Sequence, residues 1–230
     1  MPKDKPKPRP RPKQWTSQHE LVEDLKNIGW KPREGSKSAS TDWKDLIKRM
    51  VGANVFRVFP GEPSKVFRPW AYGALFGRPH YWQKLLAVKT CTEYDTWLHG
   101  LTRDLRRHWK REMGYEISFG PSLKVVNLVM KGAINAPEIP KATYNRLVQF
   151  LHVPLDIYTI EAIRNCIDLD LEKQIGRIPS SATMGFVKTP KIYDGLQEAI
   201  RRLAKKAKVP PIAFDFVWDS AHPVKKNRKK

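Results

Sequence analysis

Two cysteines in 230 residues are too few for a disulfide framework, and this chain alone cannot build a four-cysteine zinc or iron–sulfur site from them. Cys91 and Cys166 read as single core thiols, which fits a reducing, cytoplasmic compartment. No apolar run approaches the roughly 18–20 residues of a membrane span, so no membrane partner is expected. The basic start, Met1 to Lys13, has no apolar stretch behind it and does not read as a secretory signal. Among the six histidines, His80, His99 and His108 form no His-x-x-x-His pair and no cysteine joins them, so neither a metal nor another cofactor is expected. A phosphate-binding Walker loop and a Gly-x-Ser-x-Gly elbow are both missing.

Acid is also scarce. Asp and Glu number 23 against 43 Lys and Arg, for a net charge of +20. The first fifteen residues carry six basic and one acidic side chain and the last seven carry five basic ones, which leaves about +10 on the rest. An excess of this size points to a polyanionic partner, above all nucleic acid. Apolar residues make up 40% of the chain, including 8 Trp, 9 Phe and 7 Tyr, enough for a substantial core.

Residues 1–14 alternate Lys or Arg with Pro, a pattern that predicts an extended, solvated basic tail. Val224 to Lys230 reads as a second basic tail, and 15–223 as a single domain. Ser17-Gln18-His19-Glu20 predicts a capped helix start with Leu21, Leu25 and Ile28 inward and Gly29 as its stop. Asp42 is expected to cap a helix through Met50, with a polar loop over 31–41 before it. Val55 to Phe59 fits either a strand or an irregular segment. From residue 79 onward helical periodicity dominates, predicting helices over 80–89, 92–112, 121–131, 141–151, 154–167 and 189–206, with a loop over 176–188. The long 92–112 helix buries Leu98, Leu101, Leu105 and Trp109, and its Arg103, Arg107 and Lys110 lie off that stripe as a solvated or a phosphate-tracking face. The expectation is an all-α, multi-helical fold.

Two segments are candidates for chemistry. In Phe119-Gly120-Pro121-Ser122-Leu123-Lys124-Val125-Val126-Asn127, a glycine turn at a helix start could present amides to a phosphate, with Lys124 and Asn127 one and two turns in. The same residues also fit an ordinary capped core helix. In His152-Val153-Pro154-Leu155-Asp156-Ile157-Tyr158, Pro154 opens a helix and Asp156 sits in its first turn. There the carboxylate either serves the helix dipole or stands at the mouth of a cleft, where it could take a proton or stabilise a developing cation.

Together these two segments resemble the paired active-site elements of the helix-hairpin-helix DNA glycosylase superfamily, in which a Gly-x-x-Lys-x-x-Asn/Asp hairpin grips DNA and a Val-Pro-Val-Asp segment offers its aspartate to an extrahelical nucleotide. The likeness covers about residues 117–165. Lys124 and Asp156 stand farther apart than in the family, Tyr158 replaces its histidine, and no cluster cysteines follow. The chain looks more like the divergent phage branch, amino acid:DNA transferases that exchange the pyrophosphate of a 5-(pyrophosphoryloxymethyl)uracil for an amine. The resemblance implies a DNA-glycosylase-like fold acting on a flipped pyrimidine in double-stranded DNA, with a free amino acid as co-substrate and Asp156 and Lys124 as catalytic residues. Gly120, Ser122, Asn127, Arg103, Arg107, Lys110 and Arg164 would contact DNA, Lys124 or Arg164 facing the leaving pyrophosphate. Trp70, Tyr81, Trp82 and Tyr158 are candidates to stack on the base, or else to pack the core. Two rivals stand beside this expectation, a base-excising glycosylase built on Asp156 and a non-enzymatic DNA-binding protein.

Overall fold

A computed structural model describes residues 13–31, 42–77, 79–215 and 217. Most of these residues are helical, and no strand occurs among them, so the fold is all-α. The expected tails, the loop at 32–41 and the end of the chain around Trp218 lie outside the described residues, apart from Lys13 and Gln14. Lys13 is tied to the domain by ion pairs to Asp24 at 2.6 Å and Glu20 at 3.4 Å.

The helices begin where capping chemistry puts them. α1 (Gln18–Asn27) starts on Ser17, whose hydroxyl accepts from the Glu20 amide, while the Glu20 carboxylate accepts from the Thr16 amide. α2 (Trp43–Met50) starts on Asp42, which accepts from the amides of Lys44 and Asp45. The Val55 region forms a short 3-10 turn over Ala53–Phe56 rather than a strand. α3 (Pro63–Tyr72) was not expected from the sequence, because Pro69 stands inside it and a proline normally ends a helix. The helix continues past Pro69 and loosens into a π turn over Gly73–Gly77.

α4 (Pro79–Ala87) leads into the longest helix, α5 (Cys91–Met113). Thr90 caps α5 by accepting from the Glu93 amide, and Gly114, with φ at 75°, ends it in the left-handed region. α6 (Phe119–Ala133), α7 (Lys141–Leu147), α8 (Ile157–Cys166), α9 (Leu169–Ile175) and α10 (Pro190–Ala207) follow, with 3-10 turns at Met184–Phe186 and Pro211–Asp215. α1, α8 and α9 pack on α10, α2 packs on α6, and α3 and α4 pack on α5. One continuous apolar cluster runs through all of these layers, so the described residues from Trp15 to Val217 share a single core.

Candidate active site and nucleic-acid face

Asp156 is the N-cap of α8, with extended backbone angles, and the helix begins one residue after it rather than at Pro154. The residue before a proline is biased away from helical backbone, and the tract 151–156 is irregular until the aspartate, itself extended, caps the first turn. Asp156 Oδ1 accepts from the Tyr158 amide at 3.0 Å, the Thr159 amide at 3.0 Å and the Thr159 hydroxyl at 3.1 Å. Its Oδ2 has no hydrogen-bond partner among the described residues, and it is not among the atoms sealed from solvent. The residue is buried, only 8% exposed, so the carboxylate is held on one oxygen with the other unengaged among the described residues.

The segment leading to Asp156 is clamped from both sides. Gln197 on α10 bonds both backbone groups of Val153, accepting from its amide at 3.1 Å and donating to its carbonyl at 2.9 Å. His152, 2% exposed, joins a polar network with side chains from three helices, α5, α6 and α10. Asn127 Nδ2 donates to the Tyr193 hydroxyl at 2.7 Å, and that oxygen lies 2.8 Å from His152 Nδ1. His152 Nε2 lies 2.8 Å from Asp95 Oδ1, which also accepts from Arg201 Nη2 at 2.5 Å. His152 Nε2 faces both the Asp95 carboxylate, which only accepts, and Arg201 Nη2 at 2.7 Å, which only donates; in the tautomer with the proton on Nε2 it bonds Asp95, and the Tyr193 hydroxyl donates to Nδ1. The chain then runs in one direction, Asn127 to Tyr193 to His152 to Asp95, with Arg201 closing it. Burial works against the Asp95 carboxylate, but hydrogen bonds from His152 and Arg201 outweigh it and keep its pKa below the ordinary value. Burial lowers the His152 pKa, and Asp95 offsets only part of that effect. None of this network except His152 and Asn127 stands near either quoted motif, so no local pattern could have exposed it.

The glycine segment is packed rather than open. The Gly120 amide donates to the Val187 carbonyl at 3.0 Å, and the turn at Met184–Phe186 covers the start of α6. Ser122 is fully buried and donates to the Phe119 carbonyl at 2.6 Å. Asn127 is buried in the network above. These three residues therefore serve the core and cannot touch a phosphate in this arrangement, which corrects the expectation that they grip DNA. Lys124 is half-buried on α6, and no hydrogen bond or ion pair among the described residues joins it to Asp156.

The cationic positions are placed as expected for a surface. Arg103, Arg107 and Lys110 are exposed on α5, and Arg107 makes only a 3.3 Å contact with Asp104. Arg164 is more engaged, reaching Glu161 at 3.8 Å and Asn165 at 3.3 Å. The aromatic candidates divide. Trp70 is buried on α3 and donates to Asp104 at 3.2 Å, so it is a packing residue. Trp82 packs edge-on against Trp43 and Phe76, whose rings stack at 3.9 Å, and is committed to that cluster. Tyr158 lines a small cleft with Trp15 and Ala162 next to the Asp156 cap, and Tyr81 lines an open groove between α4 and α5.

Burial pushes the Cys166 thiol up to about 12, as befits an inert core cysteine. Among the described residues no three His, Cys, Asp or Glu side chains converge for a metal, and no helix is long and apolar enough to cross a membrane. No family model, characterised protein or solved structure matches this chain.

Proposed function

We propose that this protein binds DNA and modifies an extrahelical pyrimidine at Asp156, transferring an amine or amino acid onto a pyrophosphate-activated 5-hydroxymethyluracil. The observation that carries this reading is the Asp156 carboxylate, fixed through three hydrogen bonds on Oδ1 with Oδ2 unengaged. A proton acceptor aimed in this way needs no reorganisation when the reaction begins. In the transfer, the amine nitrogen bonds to the exocyclic methylene carbon. The bond from that carbon to the pyrophosphate oxygen breaks and its electron pair leaves with pyrophosphate. Asp156 Oδ2 takes the proton that the nitrogen sheds. Freeing the base from its stack costs a few kcal/mol in a duplex and least in a single strand, and backbone binding along a strongly basic surface meets that cost.

The test is nucleoside mass spectrometry of DNA incubated with the protein, supplied both plain and carrying pyrophosphoryloxymethyl-uracil, with mixed amino acids. A new nucleoside bearing an amino acid is the expected result. Release of free base with an abasic site would replace the transfer by excision at the same aspartate. Salt-sensitive binding with no product would leave a DNA-binding protein without chemistry.

A further inference from the structure

Along α5, Thr92, Thr96, Gly100, Arg103, Arg107 and Lys110 recur at three- and four-residue steps. At 3.6 residues per turn they fall within about 80° of the helix circumference. All are exposed except Gly100, which is half-buried, and the stripe faces away from core residues Leu98, Leu101, Leu105 and Trp109. It runs about 27 Å at 1.5 Å per residue. Its first half forms one wall of a cavity of about 690 Å³ between α4 and α5, with Lys84 and Lys89 at the rim and Tyr81 and Trp97 as aromatic lining. The one acid in that lining, Glu93, accepts from the amide of Lys89, also in the lining, at 2.7 Å. Burial raises the Tyr81 phenol, Asp104 adds to the rise and Arg107 opposes it.

We infer that the α4/α5 groove and the α5 ridge form a track for one strand of DNA. Phosphates would lie along Lys84, Lys89, Arg103, Arg107 and Lys110, and bases would enter the groove against the half-buried Tyr81 ring, above a floor formed by Trp97, which is buried and donates to the Tyr81 carbonyl at 2.9 Å. The Thr92 hydroxyl and the bare backbone at Gly100 allow close approach of the sugar-phosphate chain, while the Thr96 hydroxyl donates to the Thr92 carbonyl at 2.9 Å. A basic groove interleaved with aromatic rings is the surface that single strands require. Packed helix axes lie only about 8–10 Å apart, so a duplex would touch the rims and leave the groove empty. This inference rests on the DNA-binding part of the proposed function and is independent of the chemistry at Asp156.

The test uses the full chain and a fluorescein-labelled oligothymidylate, titrated by anisotropy between about 50 and 200 mM salt. The pairs Lys84→Glu with Lys89→Glu and Arg103→Glu with Arg107→Glu alter exposed side chains, and circular dichroism checks that the helices are intact. Each pair is expected to weaken binding about tenfold or more and to lower the salt slope by about 1.4, at roughly 0.7 per lost phosphate contact. Photocrosslinking of a 5-iodouracil strand should label the peptides holding Tyr81 or Trp97. Unchanged affinity in the Lys84/Lys89 pair, labelling only elsewhere, or tighter binding of the matching duplex would overturn the strand track. Loss of binding in these variants without any modified nucleoside from the native protein would keep the track and reject the transferase. A modified nucleoside with unaffected binding would do the reverse.

Discussion

At the scale of single residues, Asp156 carries two duties that a conservative change can separate. Asn caps helices as well as Asp, so Asp156→Asn should leave stability almost unchanged, whereas Asp156→Ala should lose about 1 kcal/mol in urea unfolding. The sequence exposed this carboxylate because caps are local, three residues writing one turn. It hid the His152 network, because residues 95, 127, 152, 193 and 201 meet only once α5, α6 and α10 have packed around the segment that leads into α8. Tyr193→Phe strands the Asn127 amide and His152 Nδ1 together and is expected to cost about 1–3 kcal/mol for each group left unpaired. The network also sets a pH dependence. His152 has a folded pKa below its unfolded value near 6.5, so its contribution to stability is fully present above about pH 6.5 and is lost as pH falls through the lowered folded pKa. Asp95 acts in the same direction, but in a lower window, below about pH 3.9. Urea midpoints should therefore drop between neutrality and about pH 5, by at most about 1.4 kcal/mol per pH unit for this one proton, and His152→Gln should flatten that drop.

At the scale of elements, legibility followed chemistry confined to a few neighbours. Ser17, Asp42 and Thr189 were readable as helix starts, and all three accept backbone hydrogen bonds there. α3 was not readable because Pro69 argues against a helix, and the packing of Phe67, Trp70 and Ala71 overrides it. α9 escaped because it is seven residues long and its first residue, Leu169, is exposed. The α6 start was readable as a glycine-bearing turn, but not the turn at 184–187 that covers it. A Cβ on Gly120 would lie 2.8 Å from the Met184 carbonyl oxygen and 3.0 Å from Val187 Cβ. Gly120→Ala should therefore destabilise the protein by about 1–3 kcal/mol in thermal or urea unfolding. Gly100, mid-helix with open space around its Cβ position, makes the opposite case. Gly100→Ala is expected to raise stability by about 0.5–1 kcal/mol.

At the scale of the whole molecule, the charge of +20 is what the proposed polyanionic partner rests on, and the fold decides how that charge is presented. Composition cannot say which of the basic residues line up. The helix α5 does so, turning its apolar stripe inward and leaving Arg103, Arg107 and Lys110 on the opposite face. Both quoted motifs are largely absorbed into the core at this scale: the glycine segment under the turn at 184–187, and the aspartate segment under α10, whose Gln197 clamps Val153, with Asp156 left 8% exposed at the cap of α8. The account stands or falls on whether Asp156 does chemistry on a base. The most direct measurement is nucleoside mass spectrometry of activated DNA treated with native protein and with Asp156→Asn, alongside DNA affinity for both. The expected outcome is an amino-acid-bearing nucleoside from the native protein, none from the variant, and equal affinity. Equal product from both proteins would contradict the account and remove Asp156 from any catalytic role.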